Sequence, residues 1–245
     1  MLPLPIPFFV EIVFLLTTSI TVHGLWWILR QSHHPFVRSK ATLFTAGIIA
    51  WLGLQAVLSL AGVYSSDTMH RPPTLVLFGI VPMLLLCIVI VGTRTGREAM
   101  MSIPLESVML LHMVRIPVEF VLLWLFQAGA VPQIMTFEGR NLDIVAGLTA
   151  PLIVWLHRKY TLSSKILLAW NIGALCFLMN IVIHALLSAP TPLQRFGFEQ
   201  PNIGILYFPF SWLPTFIVPV VFLCHIVAIW HLRKRLLEES SASVS

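Results

Sequence analysis

The chain has 245 residues, 58% hydrophobic and 10% charged, with a formal net charge of +5 and a mean hydropathy of +0.90. A soluble domain carries about 25% charged residues, so this composition excludes a soluble enzyme and a disordered chain alike. What remains is an all-α, polytopic membrane protein whose basic residues set topology in short connections and do not read nucleic acid.

Seven apolar stretches follow in chain order, over residues 5–30, 41–63, 73–93, 103–129, 141–157, 164–188 and 208–232. Each spans a hydrocarbon core of ~30 Å at ~1.5 Å per residue, the fifth only barely. They predict a bundle of seven transmembrane helices over residues 1–237 and a disordered polar tail over 238–245.

The first stretch opens MLPLPIPFFVEIVF, without the basic region and small-residue cleavage site of a secretory signal, and is expected to be retained. It carries Glu11 and His23. Gln55 and Ser59 share a face of the second stretch, as interhelical hydrogen-bonding groups do. Cys87, Cys176 and Cys224 all fall in apolar stretches and show no metal-type spacing, so buried thiols are expected.

The fourth stretch, LESVMLLHMVRIPVEFVLLWLF, is the anomaly. His112, Arg115 and Glu119 fall within about 60° of one another on a helix and form one stripe. An unpaired charge at this depth costs at least ~2.5–3.5 kcal/mol, so the stripe must face the interior. It reads as a buried ligand, ion or proton site, or as an internal Arg–Glu pair that pins the helix to its neighbours. Pro117 lies between the two charges and removes one helix hydrogen bond.

Two connections then share the pattern F-E-x-x-N-[LI]-x-I, at Phe137–Ile144 and Phe198–Ile205. Asn141 and Asn202 are expected to cap the helices that follow. Glu138 and Glu199 are expected near those helix starts or in a cavity. Asn180 and His184 stand four apart near the end of the sixth stretch. The second of these connections is long and rich in Pro and aromatic residues, as lids and binding loops often are. Pro151, Pro214 and Pro219 interrupt the fifth and seventh stretches.

Lys and Arg counts orient the bundle. Eleven of the fifteen basic residues sit in alternate connections and the tail; Arg71, Arg140 and Arg195 occupy the other side, and Arg115 is within a helix. The bias predicts an outside N-terminus and a cytoplasmic C-terminus.

These positions predict a non-enzymatic protein that binds or transports a small molecule in a polar cavity open to the outer face. Its candidate residues are Arg115, Glu119, Glu138, Arg140, Asp143, Asn180, His184, Glu199 and Asn202. Other readings stay open. His184 with Glu138 or Glu199 would serve a membrane enzyme. His23, His112 and His225 lie at similar depth, as haem or metal ligands would, although no cofactor is expected. The polar stripe would also suit a subunit that contacts a membrane partner.

The lysines are Lys40, Lys159, Lys165 and Lys234, none inside the seventh stretch, so a retinal Schiff base is not expected. The stretches FEGRNLDIVAGLTAP and FEQPNIGILYFPFSWLP resemble bacterial inner-membrane proteins of unassigned function. That resemblance covers a little over half the chain. It implies a bacterial inner-membrane location and supplies no activity.

Overall fold

The computed structural model describes residues 5–66, 68, 69 and 72–242, and every regular element among them is helical. The helices are α1 (Phe8–Arg30), α2 (Pro35–Leu60), α3 (Val76–Gly92), α4 (Arg94–Met101), α5 (Leu105–Gln127), α6 (Asp143–Tyr160), α7 (Ser164–Ser188) and α8 (Leu213–Ala242). Single 3₁₀ turns at Gln133–Met135 and Gly204–Leu206 lie in the connections before α6 and α8.

Helices α1, α2, α5, α7 and α8 are long and apolar enough to cross a membrane. The pair α3 and α4, bent by 85°, makes a sixth candidate. Helix α6 has 18 residues, among them Asp143, Arg158 and Lys159, and its charge keeps it outside that group.

Three local features depart from the sequence expectation. Helix α2 starts at Pro35, earlier than its apolar stretch, because proline at the first helical position has its φ already set. Arg38 and Lys40 therefore ride on its first turns. Residues expected to form the loop after α3 instead form α4, which starts where Thr93 Oγ1 accepts from Gly96 N at 3.2 Å. Arg97 closes the bend by donating to the last carbonyl of α3, Gly92 O, at 2.9 Å. The stretch expected to be a disordered tail is helical as far as Ala242. There Glu239 accepts from Ser164 Oγ at 2.6 Å, which ties the extension to the start of α7. Arg71, counted above on the outer side, lies outside the described residues.

The distribution of side chains is inverted relative to a soluble protein. Phe8, Ile20, Leu43, Leu85, Ile88 and Leu148 are exposed, whereas Gln55, His112, Arg115, Glu119, Asn171 and His225 are buried. So wide an apolar exterior has to be covered, and a bilayer covers it along helices of this length. Helix α5 packs against α1, α6 and α8, and α7 lies along α8. The core where they meet holds Phe14, Val121, Leu122, Leu125, Phe210, Phe216 and Val221.

Helices α3 and α8 each begin with a π turn, Val76–Ile80 and Leu213–Ile217, and the two turns pack on each other. A π turn displaces carbonyls from the regular ladder, and in an apolar setting those carbonyls need other donors. Helix α2 supplies them. Trp51 Nε1 donates to Thr215 O at 3.0 Å, and Gln55 Nε2 donates to Phe78 O at 3.2 Å. Gly79 permits the crossing, because a β-carbon there would lie 2.5 Å from Thr215 Cγ2.

Gln55 is also the acceptor for the Tyr64 hydroxyl. Burial pushes the Tyr64 phenol up to about 12, so it remains a donor throughout the neutral range. Gln55→Leu would leave Tyr64 and the Phe78 carbonyl unpaired. Each orphaned buried group costs about 1–3 kcal/mol, so this variant is expected to melt several degrees lower in detergent. Gln55→Glu retains the acceptor for Tyr64 and separates that bond from the one to Phe78.

Candidate functional site

The stripe of α5 is where the buried charge collects. His112, Arg115 and Glu119 all face the interior, and no more than 2% of any of them is exposed. The helix tightens into a 3₁₀ turn over Leu111–Val114, one turn before Pro117. Proline lacks the N–H for a bond to Met113 O and crowds that carbonyl, which disfavours regular α geometry there. The tightened segment ends at Arg115, where α geometry resumes.

Arg115 reaches three elements. Its Nη1 lies 3.2 Å from Asp143 Oδ1 at the start of α6 and donates to Ala174 O of α7 at 3.1 Å. Its Nη2 lies 2.6 Å from His225 Nε2 of α8. A guanidinium only donates, so His225 accepts at Nε2 and carries its proton on Nδ1. That nitrogen faces Asn171 Oδ1 of α7 at 3.3 Å. His112 stacks on His225 with centroids 4.2 Å apart, and His112 and Trp170 meet in a T-shaped arrangement with centroids 5.9 Å apart.

The ion-pair partner of Arg115 is therefore Asp143; the expected intrahelical pair with Glu119 does not form. Glu119 Oε1 instead accepts from Asn141 Nδ2, which also donates to Met135 O at 3.0 Å. Asn141 Oδ1 in turn accepts from Asp143 N at 3.0 Å. The Asn141 side chain thus satisfies an amide at the start of α6, as expected, and also holds Glu119 in place.

Several polar atoms of this cluster have no hydrogen-bond partner among the described residues. They include Glu119 Oε2, Arg115 Nε, Asp143 Oδ1, Asn171 Nδ2 and both ring nitrogens of His112. Asp143 Oδ1 is close to Arg115 Nη1, but the approach is too oblique for a hydrogen bond. Arg115, Glu119 and Asp143 line a cavity of about 40 Å³. Its apolar wall includes Leu122, Leu178, Ile181, Leu213 and Val218, and the same five side chains also line a second space of about 790 Å³. That larger space is an apolar cleft between α3, α7 and α8.

The remaining expected residues lie elsewhere. Glu138, Arg140 and Glu199 are exposed. Asn180 Nδ2 donates to Arg140 O at 2.8 Å, which anchors the connection before α6 to α7. His184 is half-buried, with Nδ1 2.8 Å from Asn180 O and its ring 5.5 Å from that of Phe196. Asn202 is buried, yet it does not cap α8. Its Nδ2 donates to Ala185 O at 3.1 Å, so it serves the end of α7. Val131, Thr136 and Asn141 are buried in the connection before α6, and Ile205 and Leu206 in the one before α8. Glu138 and Glu199 line neither of the two spaces described above.

His23 is exposed beside Trp26 and does not join His112 and His225. Those two rings lie face against face, and no group of three His, Cys, Asp or Glu with metal-holding geometry occurs among the described residues. Sequence reasoning missed Asn171, the Ala174 carbonyl and the partnership of Arg115 with Asp143 and His225. A lone asparagine in the run LLAWNIGAL was the available signal for Asn171.

No curated protein matches the chain, and no solved structure matches it. Residues 71–233 match the profile of a family described as Domain of unknown function (DUF8737). The matched region starts before α3, ends within α8 and contains the whole Arg115 cluster. It covers well over half of the sequence, and the chain belongs to this family.

Proposed function

We propose that this chain is a seven-span protein of a bacterial inner membrane that binds or transports a small molecule at Arg115, Glu119 and Asp143. Seven helical stretches support the span count, with α6 as the short fifth crossing and α4 lying at the cytoplasmic surface. The excess of Lys and Arg in alternate connections supports an outside N-terminus and a cytoplasmic C-terminus.

One observation carries the functional reading. A buried guanidinium and two buried carboxyls line a cavity while Arg115 Nε, Glu119 Oε2 and Asp143 Oδ1 keep unused hydrogen-bonding capacity. Buried polar groups are ordinarily paired, because each unpaired one costs about 1–3 kcal/mol. A ligand that supplies the missing partners recovers that cost. A purely structural pin gains nothing from unsatisfied atoms.

Glu119→Gln tests the reading. Glutamine keeps an Oε1 acceptor for Asn141 and a similar shape, so the fold survives. The wild type and this variant would be melted in detergent against a panel of water-soluble alcohols, amines and sugars, and against inner-membrane lipid extract. At saturation near one hundred times Kd, a ligand adds about 2.7 kcal/mol of stability. At least one component is expected to raise the melting temperature of the wild type and to leave Glu119→Gln unmoved. A panel that shifts both proteins equally, or neither, would overturn the proposal.

A further inference from the structure

We infer that the ligand is a single-chain amphiphile with a neutral hydroxyl end, taken from the bilayer through the cleft between α3, α7 and α8. The inference rests on the ligand site proposed above and names its chemical class. Its chain lies in the cleft of about 790 Å³, and its hydroxyl reaches the cavity of about 40 Å³ beside Arg115, Glu119 and Asp143.

The placement of the cleft sets the route. Helices α3 and α7 both border it, and α8 forms its back wall through Leu213, Val218 and Phe222. Its rim residues Leu84, Met179 and Leu186 are apolar and exposed on helices whose exteriors a bilayer must cover. The mouth therefore faces hydrocarbon. At one end the cleft meets the connections through Pro72, Thr191 and Leu193. Its size lies in the ~300–1,000 Å³ range of pockets that bury a whole small ligand.

The two spaces are neighbours. Leu122, Leu178, Ile181, Leu213 and Val218 line both, so the two spaces adjoin along these five side chains, and the hydroxyl passes between them. A chain seated in the cleft points its end at the polar atoms.

The cavity chooses the end group. About 40 Å³ admits a few heavy atoms and no phosphate diester with its glycerol. A carboxylate has no proton to donate to Glu119 Oε2, and an ammonium has no lone pair to accept from Arg115 Nε. A hydroxyl accepts from Arg115 Nε and donates to Glu119 Oε2, two buried atoms without partners. The apolar chain leaves one hydrocarbon medium for another and gains little by moving. Selectivity therefore falls on the end group.

The experiment uses the full chain in vesicles and a hexadecanol analogue with a photoreactive diazirine near the far end of its chain. After illumination, adducts are mapped by peptide mass spectrometry. Labelling is expected at residues 178–193 of α7 and its following connection. Excess hexadecanol should suppress it; hexadecane and hexadecanoic acid should not. Glu119→Gln should weaken it by about tenfold, the worth of a hydrogen bond to a charged group. Leu186→Trp, which narrows the mouth, should reduce it while Glu119 is intact.

Adducts scattered over lipid-facing Leu85 and Ile88, with no competition by hexadecanol, would overturn the inference. Equal suppression by hexadecane would do so too, since it would mean recognition of the chain alone. If a water-soluble compound stabilises the wild type in a Glu119-dependent way while the cleft takes no label, this inference fails and the site proposal stands. If neither experiment responds, both fail.

Discussion

Replacing Arg115 by methionine is expected to remove about 3–5 kcal/mol of stability, the cost of breaking one side of a buried ion pair. The size follows from what the guanidinium holds. It draws together the start of α6 through Asp143, the middle of α7 through Ala174 O, and α8 through His225. Without it, Asp143 becomes a buried carboxyl with no counter-charge, and Nε2 of His225 loses its donor. Arg115→Lys should recover only part of the loss. An ammonium keeps the charge, but one nitrogen does not reproduce the planar fork that spans Asp143, Ala174 O and His225. Melting curves in one detergent rank the variants.

The double variant Arg115→Met with Asp143→Leu separates charge from packing. Replacing both members of a buried pair by apolar groups is often neutral. If the Arg115→Met penalty is mainly a stranded carboxyl, the double variant should melt well above the single one. If both melt alike, the role of Arg115 lies in its bonds to α7 and α8 instead. Either result leaves the span assignment untouched, because Arg115 contributes nothing to the apolar exterior.

The stripe on α5 was legible in the sequence because helix geometry is local. Residues three and four apart share a face whatever surrounds them, so His112, Arg115 and Glu119 had to point one way. Their partners were not legible. Asp143 comes from another helix, and which carboxyl Arg115 meets depends on how closely α6 approaches α5. Glu119 lies one turn further along the same helix, but Asn141 already occupies one of its oxygens.

The paired F-E-x-x-N segments make the same point. Their letters agree, yet Asn141 turns inward to Glu119 and the start of α6, while Asn202 turns to the end of α7. Such a motif says that an asparagine will satisfy backbone groups; it does not say which. Phe137 packs on Phe120, whereas Phe198 is exposed. The π turns did leave a signal: Pro82 and Pro219 follow them closely, and each lacks the N–H that would pair with the carbonyl four residues back, Phe78 O or Thr215 O. Helix α4, by contrast, was hidden. It is short and polar, with no apolar stretch to betray it, and its start depends on the Thr93 cap and on the sharp bend after α3.

Placing a methyl group on Gly147 is expected to disturb the cluster from outside it. A β-carbon there would lie 2.9 Å from Ile116 Cγ1, 3.2 Å from Ile116 N and 3.3 Å from Arg115 Cβ. Gly147 stands one turn after Asp143 on α6, at the close approach to α5. Inserting atoms into so tight a contact costs about 1–3 kcal/mol. Gly147→Ala should push α6 away from α5 and lengthen the Asp143–Arg115 contact, lowering the melting temperature and loosening the cavity together. Because the nearest obstacle is the Ile116 side chain, Ile116→Ala in the same chain should relieve part of the strain. The pair should show a coupling of about 0.5–3 kcal/mol in a double-mutant cycle. Additive losses would mean that α6 does not bear on α5 at this glycine. A coupled pair that also restores Glu119-dependent stabilisation by ligand would show that helix spacing at Gly147 sets the geometry of the site.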